Sequence, residues 1–162
     1  MRFLILLSLG FLAACGFQPV HGTHGYKGAA ISQLSLVSIP RIPEREGQIL
    51  RNNLIDRFHV RGTPKSPKYD LVINQLQTQV TRLGIAADAS TTRAQYEASA
   101  TVSLKDKSSD EIVLTRNYRT LAGFNILGSE FQSVIAEENA RDRALNQMSE
   151  QIETQLSLYF NR

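Results

Sequence analysis

The chain has 162 residues, a formal charge of +3 from 18 Lys and Arg against 15 Asp and Glu, one cysteine and no tryptophan. That length suits one domain with a core of its own. The weak charge argues against a nucleic-acid binder, and a single cysteine excludes an intrachain disulfide or a cysteine metal cluster.

Behind Arg2, twelve uncharged residues run from Phe3 to Ala14. As a helix they would reach about 18 Å, well short of a hydrocarbon core of roughly 30 Å. They fit the apolar segment of a signal peptide, and no later run is long enough to span a membrane. The small pair Ala13-Ala14 is preceded by Leu12 and followed by the lone Cys15. Leu12-Ala13-Ala14-Cys15 resembles the bacterial lipobox, in which the cysteine is alkylated by a lipid donor and becomes the new N-terminus. The thiolate is the nucleophile suited to that step. Residues 1–14 are therefore expected to be a lipoprotein signal peptide. Cys15 is expected to carry diacylglyceryl and acyl (palmitate-type) lipid as the only attached group, with no cofactor.

Residues 15–30 hold four glycines and Pro19, the composition of a flexible tether. His21 and His24 lie on it without a third ligand nearby, which is no metal site. Residues 31–162 are expected to form a single domain. Ile31 to Ile39, rich in Leu, Ile and Val and closed by Pro40, reads as a strand. Pro40 and Pro43 bracket a turn. From Glu44 the apolar residues Ile49, Leu50, Leu54, Ile55 and Phe58 recur at three- and four-residue spacing, a helix with Glu44 and Glu46 in its first turn. Gly62, Pro64 and Pro67 mark the loop after it.

Three strands are predicted next. Tyr69 to Leu83 places Leu71 and Ile73 on one parity and Val72, Leu76 and Val80 on the other, so an irregularity is expected near Asn74-Gln75. Then Ala94, Tyr96, Ala98, Ala100, Val102 and Leu104 alternate with polar residues, the signature of a strand with one buried face. Lys105 to Asp110 is a polar turn and Ile112 to Ala122 the returning strand. Ser129 with Gln132 three residues on has the form of a capping box. A stripe from Phe131 through Ala140, Ala144, Leu145, Met148 and Ile152 to Phe160 then predicts a helix of about thirty residues, or 45 Å. Glu137, Glu138, Asp142, Glu150 and Glu153 would ride its other faces. The order β-α-β-β-β-α predicts an α+β two-layer sandwich, two helices packed on a four-stranded sheet.

No phosphate-binding glycine loop, zinc spacing or nucleophile elbow is present. An acylated Cys15 cannot serve as a catalytic thiol, and His59 reads as a helix C-terminal residue favoured by the dipole. The sequence does not support an enzyme. If the first crossover is right-handed and the first two strands are parallel, Arg61, Lys65, Lys68, Lys105 and Lys107 fall at the tethered end. Arg41, Arg45, Arg82 and Arg93 then fall at the far end. Cations near the anchor suit an anionic leaflet, and cations far from it suit an anionic ligand.

Cys15-Gly16-Phe17-Gln18-Pro19-Val20 resembles the start of the lipopolysaccharide-assembly lipoprotein family LptE (RlpB). The segments Gly123-Phe124-Asn125 and Ala136 to Ala144, with Ile152 and Leu156 to Phe160, are similar to its final helix. The resemblance implies the same β-α-β-β-β-α fold and a non-enzymatic lipoprotein at the periplasmic face of the outer membrane. It implies two partners: the β-barrel LptD, whose lumen such proteins plug and whose assembly they assist, and lipopolysaccharide. Gly16 after the cysteine is compatible with outer-membrane sorting. Asn125 to Glu130 has no Lys or Arg, so Arg82 and Arg93 are the candidate phosphate contacts, by bidentate pairing. Two other readings are a structural envelope lipoprotein that binds another periplasmic protein without touching lipid, and a lipid-anchored hydrolase.

Overall fold

In the computed structural model the described residues are 32–60, 62–85, 91–126 and 128–161. The expected signal peptide, Cys15 and the expected tether lie outside them. The first departure from expectation comes at once. Instead of a strand over Ile31 to Ile39, residues 32–34 form a helical turn, and only Val37–Ser38 (β1) is extended. The Ser35 hydroxyl donates to the Ser32 carbonyl at 2.8 Å, and Leu36 N–H to Gln33 O at 3.0 Å. Serine bonding back to its own backbone competes with extension. The turn also lets Leu34 and Val37, three apart, enter one core.

After Pro43 comes helix α1, Glu44–Phe58, burying Gly47, Leu50, Leu54 and Phe58 at the predicted spacing. A Cβ on Gly47 would stand 2.6 Å from Ile42 Cγ2 and 3.0 Å from the Ile42 backbone. Only glycine lets the helix lie so close to the preceding turn. Strands β2 (Tyr69–Ile85), β3 (Thr91–Asp106) and β4 (Ile112–Asn125) follow, then helix α2, Glu130–Phe160. The sheet order is β1-β2-β3-β4, with β1 parallel to β2 and the other pairs antiparallel.

The irregularity predicted near Asn74-Gln75 is a bulge. Asn74 pairs with Thr101 and Gln77 with Ser99, and Gln75 adopts a φ of 53°. One extra residue switches the strand's parity. Leu71 and Ile73 before it, and Val80 after it, thereby share the face of Val102, Leu104 and Tyr96. Two apolar parities that could not serve one flat strand serve one face of a bulged one.

That face is the core. Ala94 to Leu104 on β3, with Tyr118, Ala122 and Phe124 on β4, meet Ala140, Ala144, Leu145, Met148, Ile152 and Leu156 of α2. The small residues in mid-helix bring α2 down onto the sheet, and the Thr120 hydroxyl locks its register by donating to Ala144 O at 3.0 Å. Ser129 stands at the α2 N-cap, but its side chain makes no capping bond. Instead Ser133 donates N–H and Oγ to Ser129 O, both at 3.1 Å. At the other end Phe160 packs on Tyr69, ring centroids 5.2 Å apart.

Candidate functional site

The two helices are held to each other by arginines. Arg57, in the last turn of α1, spreads its guanidinium over α2: Nε donates to Ser149 Oγ (3.0 Å) and Nη1 to Glu153 (3.0 Å). Its Nη2 donates to Asn146 Oδ1 (3.0 Å) and Glu150 (2.8 Å). At the opposite end of the helix pair, Arg45 and Arg141 converge on Glu138 at 3.0 and 3.2 Å. These hydrogen bonds hold the Glu138 carboxyl below the usual carboxylate range. Thus Glu138, Glu150 and Glu153, expected to ride solvated faces of the last helix, are gripped by arginines. Arg57 was invisible to sequence reading as a functional residue. Its only trace was a basic residue in a helix's last turn, with Asn146, Glu150 and Glu153 at helical spacing elsewhere.

Among the described residues no helix lies on the other side of the sheet. That side presents polar residues in register: Gln79 and Gln95 beside Glu97, Ser99 and Thr101, then Thr115, Asn117 and Arg119, with Ser103 buried against Thr115. Thr101 Oγ1 donates to Asn117, and Arg119 clasps Glu97, lowering that carboxyl through charge-assisted hydrogen bonds. By contrast, burial raises the phenols of Tyr96 and Tyr118 on the helix side.

Parallel β1–β2 pairing places the cations at the two ends as expected, but their partners change what they can do. At the near end Lys105 pairs with Asp110 (2.7 Å) and Lys107 with Asp70 (3.2 Å), and Arg61 lies outside the described residues. Lys65 and Lys68 remain. The near end is thus a weaker cationic patch than the charge count suggested. At the far end Arg45 is committed to Glu138. Arg82 and Arg93 are exposed and have no carboxylate partner among the described residues. Arg82 pairs with Ala94 and Arg93 with Gly84, so the two stand on adjacent rungs and opposite faces. They do not form one clamp.

His59 caps α1, as expected, and its Nε2 sits 2.8 Å from Val37 O, tying the helix end to β1. No group of three potential metal ligands occurs among the described residues. The concave spaces among the described residues are open, and one of them is lined by Ser38, Thr63 and His59, whose Nε2 is engaged by Val37 O.

The sequence profile of the LptE family, described as lipopolysaccharide-assembly, matches residues 31–156. The chain belongs to the LptE family. Solved structures agree on the fold. A candidate lipoprotein from Caulobacter crescentus CB15 superposes with a TM-score of 0.66 at 19% identity, covering 84% of this chain and 98% of that one. Rare lipoprotein B from Shewanella oneidensis gives 0.59 at 6% identity, over 76% and 92%. A minor lipoprotein from Acinetobacter baumannii gives 0.56 at 13%, over 76% and 89%. No curated protein matches the chain. Identities this low speak for the LptE-type fold alone, and the family assignment rests on the profile.

Proposed function

We propose that this LptE-family protein is anchored at the periplasmic face of the outer membrane through lipid on Cys15. There it plugs and helps assemble the LptD β-barrel and assists lipopolysaccharide transport to the surface. The observation that carries the proposal is the family match over residues 31–156, all but the last turn of the two-layer fold. The helix-free sheet face supports it physically. The interiors of large outer-membrane barrels are polar, and a plug must present hydroxyls, amides and paired charges to them. The Ser, Thr, Asn and Gln rows of β2, β3 and β4 do so.

Arg82 and Arg93 are proposed to meet lipopolysaccharide phosphates one at a time, since they face opposite sides of the sheet. Affinity purification of the full chain from outer membrane should recover a large β-barrel, and its depletion should stop lipopolysaccharide from reaching the surface. Normal surface lipopolysaccharide with a correctly assembled barrel after depletion refutes the proposal. Cys15→Ser should abolish labelling with radioactive palmitate; retained label would place the anchor elsewhere. Unchanged lipopolysaccharide binding by a chain carrying R82A and R93A would remove those two contacts.

A further inference from the structure

The free edge of β4 has what a strand-docking groove needs. β4 is the last strand of the sheet, 14 residues long and without proline. Its only irregularity is against β3 at the Lys105 end. Alternate residues of an edge strand direct N–H and C=O away from the sheet, and natural proteins shorten, kink or cover such edges. Among the described residues no backbone group pairs with this one.

Alongside the edge runs a row of α2 side chains one helical turn apart: Arg143, Gln147, Gln151 and Gln155. The helix runs antiparallel to β4. At one end Arg143 donates to Gly123 O at 3.1 Å, and at the other Gln155 shares a groove with Arg116. Asn117, Gln147 and Gln151 also line this groove, whose volume is about 640 Å³. From Arg143 to Gln155 the helix rises about 18 Å, and β4 covers about 23 Å between Arg116 and Gly123. The carboxamides of Gln147, Gln151 and Gln155 have no hydrogen-bond partner among the described residues. A backbone edge on one side and a row of amides on the other recognise an extended polypeptide by its main chain, the β-augmentation mode.

Charge selects the occupant. Arg116 lines the groove and Arg143 stands beyond its other end at Gly123, and neither has a carboxylate partner among the described residues; Glu150, which also lines the groove, is already held by Arg57. A second copy joined antiparallel, edge to edge over residues 116–123, would bring each Arg116 to the other copy's Gly123 and so beside its Arg143. A strand bearing carboxylates would be welcomed. We propose that the β4 edge and the carboxamide row of α2 take up an extended acidic segment, about six residues long, of the barrel partner. The proposal rests on the barrel reading above and names the surface that reading uses.

The test is amide hydrogen exchange on the full lipidated chain, alone in detergent and in the complex purified with its barrel. Exchange over residues 116–123 should slow by about tenfold or more in the complex. A chain carrying R116E and R143E, with unchanged circular dichroism, should recover about threefold less barrel or worse. A complex that forms with unchanged exchange at 116–123 overturns the groove and leaves the barrel reading standing. Absence of any complex overturns both. Protection of 116–123 in a dimer of the chain alone overturns the acidic strand in favour of a second copy.

Discussion

Replacing Arg57 tests how the two helices are joined. Its side chain is 25% exposed and its partners differ in burial: Ser149 is fully buried, whereas Glu150 and Glu153 are 53% and 34% exposed. Solvent screening reduces the two ion pairs to about 0.2–1 kcal/mol each. The bond from the guanidinium to buried Ser149 Oγ contributes about 1.5 kcal/mol, and the arginine stem covers apolar surface between the helices. Arg57→Met, which keeps the stem and removes the fork, should therefore cost about 2–3 kcal/mol. For a domain of this size, with a urea m-value of about 2 kcal/mol/M, the midpoint should fall by about 1 M. Arg57→Lys keeps the charge but cannot reach three helical turns at once, and should lose at least half as much. Urea titration followed by far-ultraviolet circular dichroism measures both. Arg57→Met within about 0.5 kcal/mol of wild type would show that the network is decorative. A fully stable Arg57→Lys would show that charge, and not fork geometry, holds the helices.

Gly47→Ala should destabilise by about 1–3 kcal/mol, although alanine is the better helix former, because its Cβ meets Ile42 at 2.6 Å; a thermal melt above wild type would contradict the close approach. Thr120→Val, which removes the buried donor to Ala144 O at nearly constant volume, should cost about 1–2 kcal/mol in the same titration. Glu138 is held low by hydrogen bonds from Arg45 and then Arg141, so its contribution is complete above the ordinary carboxylate value of about 4.3 and lost as pH falls through the lower folded value. Glu138→Gln should flatten the decline of stability below about pH 4.3, and an unchanged slope would remove this pair from the acid response.

Much of the fold could be read in the residues. The alternation of Ala94 to Leu104 located β3 and its buried face, and the split parities around Asn74-Gln75 announced the bulge. The apolar stripe from Phe131 onward predicted α2 to within a residue or two. Ile31 to Ile39 misled because apolar residues in a short run do not distinguish a strand from a helical turn. The Ser35 hydroxyl, bonded back to the Ser32 carbonyl, competes with extension there. Candidate-site residues were less legible. Arg82 and Arg93 lie close in the hairpin, but which side of the sheet each occupies depends on a register shift between Arg82 and Gly84 that composition cannot show.

Sequence alone determined the features that depend on local spacing. These are the apolar run that ends at the lone Cys15, the glycine-rich composition of residues 15–30, the element order, and the family resemblance that the profile match sustains. Periodicity and short motifs are properties of neighbouring residues, so one chain suffices to read them. Only the tertiary structure decided which charges are spent on each other. Arg57 meets Glu153 from 96 residues away and Arg45 meets Glu138 from 93, so no local pattern could separate these clamping arginines from exposed Arg82 and Arg93. The same holds for the β4 edge. A strand's sequence records which face is buried, but its place at the end of the sheet follows from how all four strands are ordered.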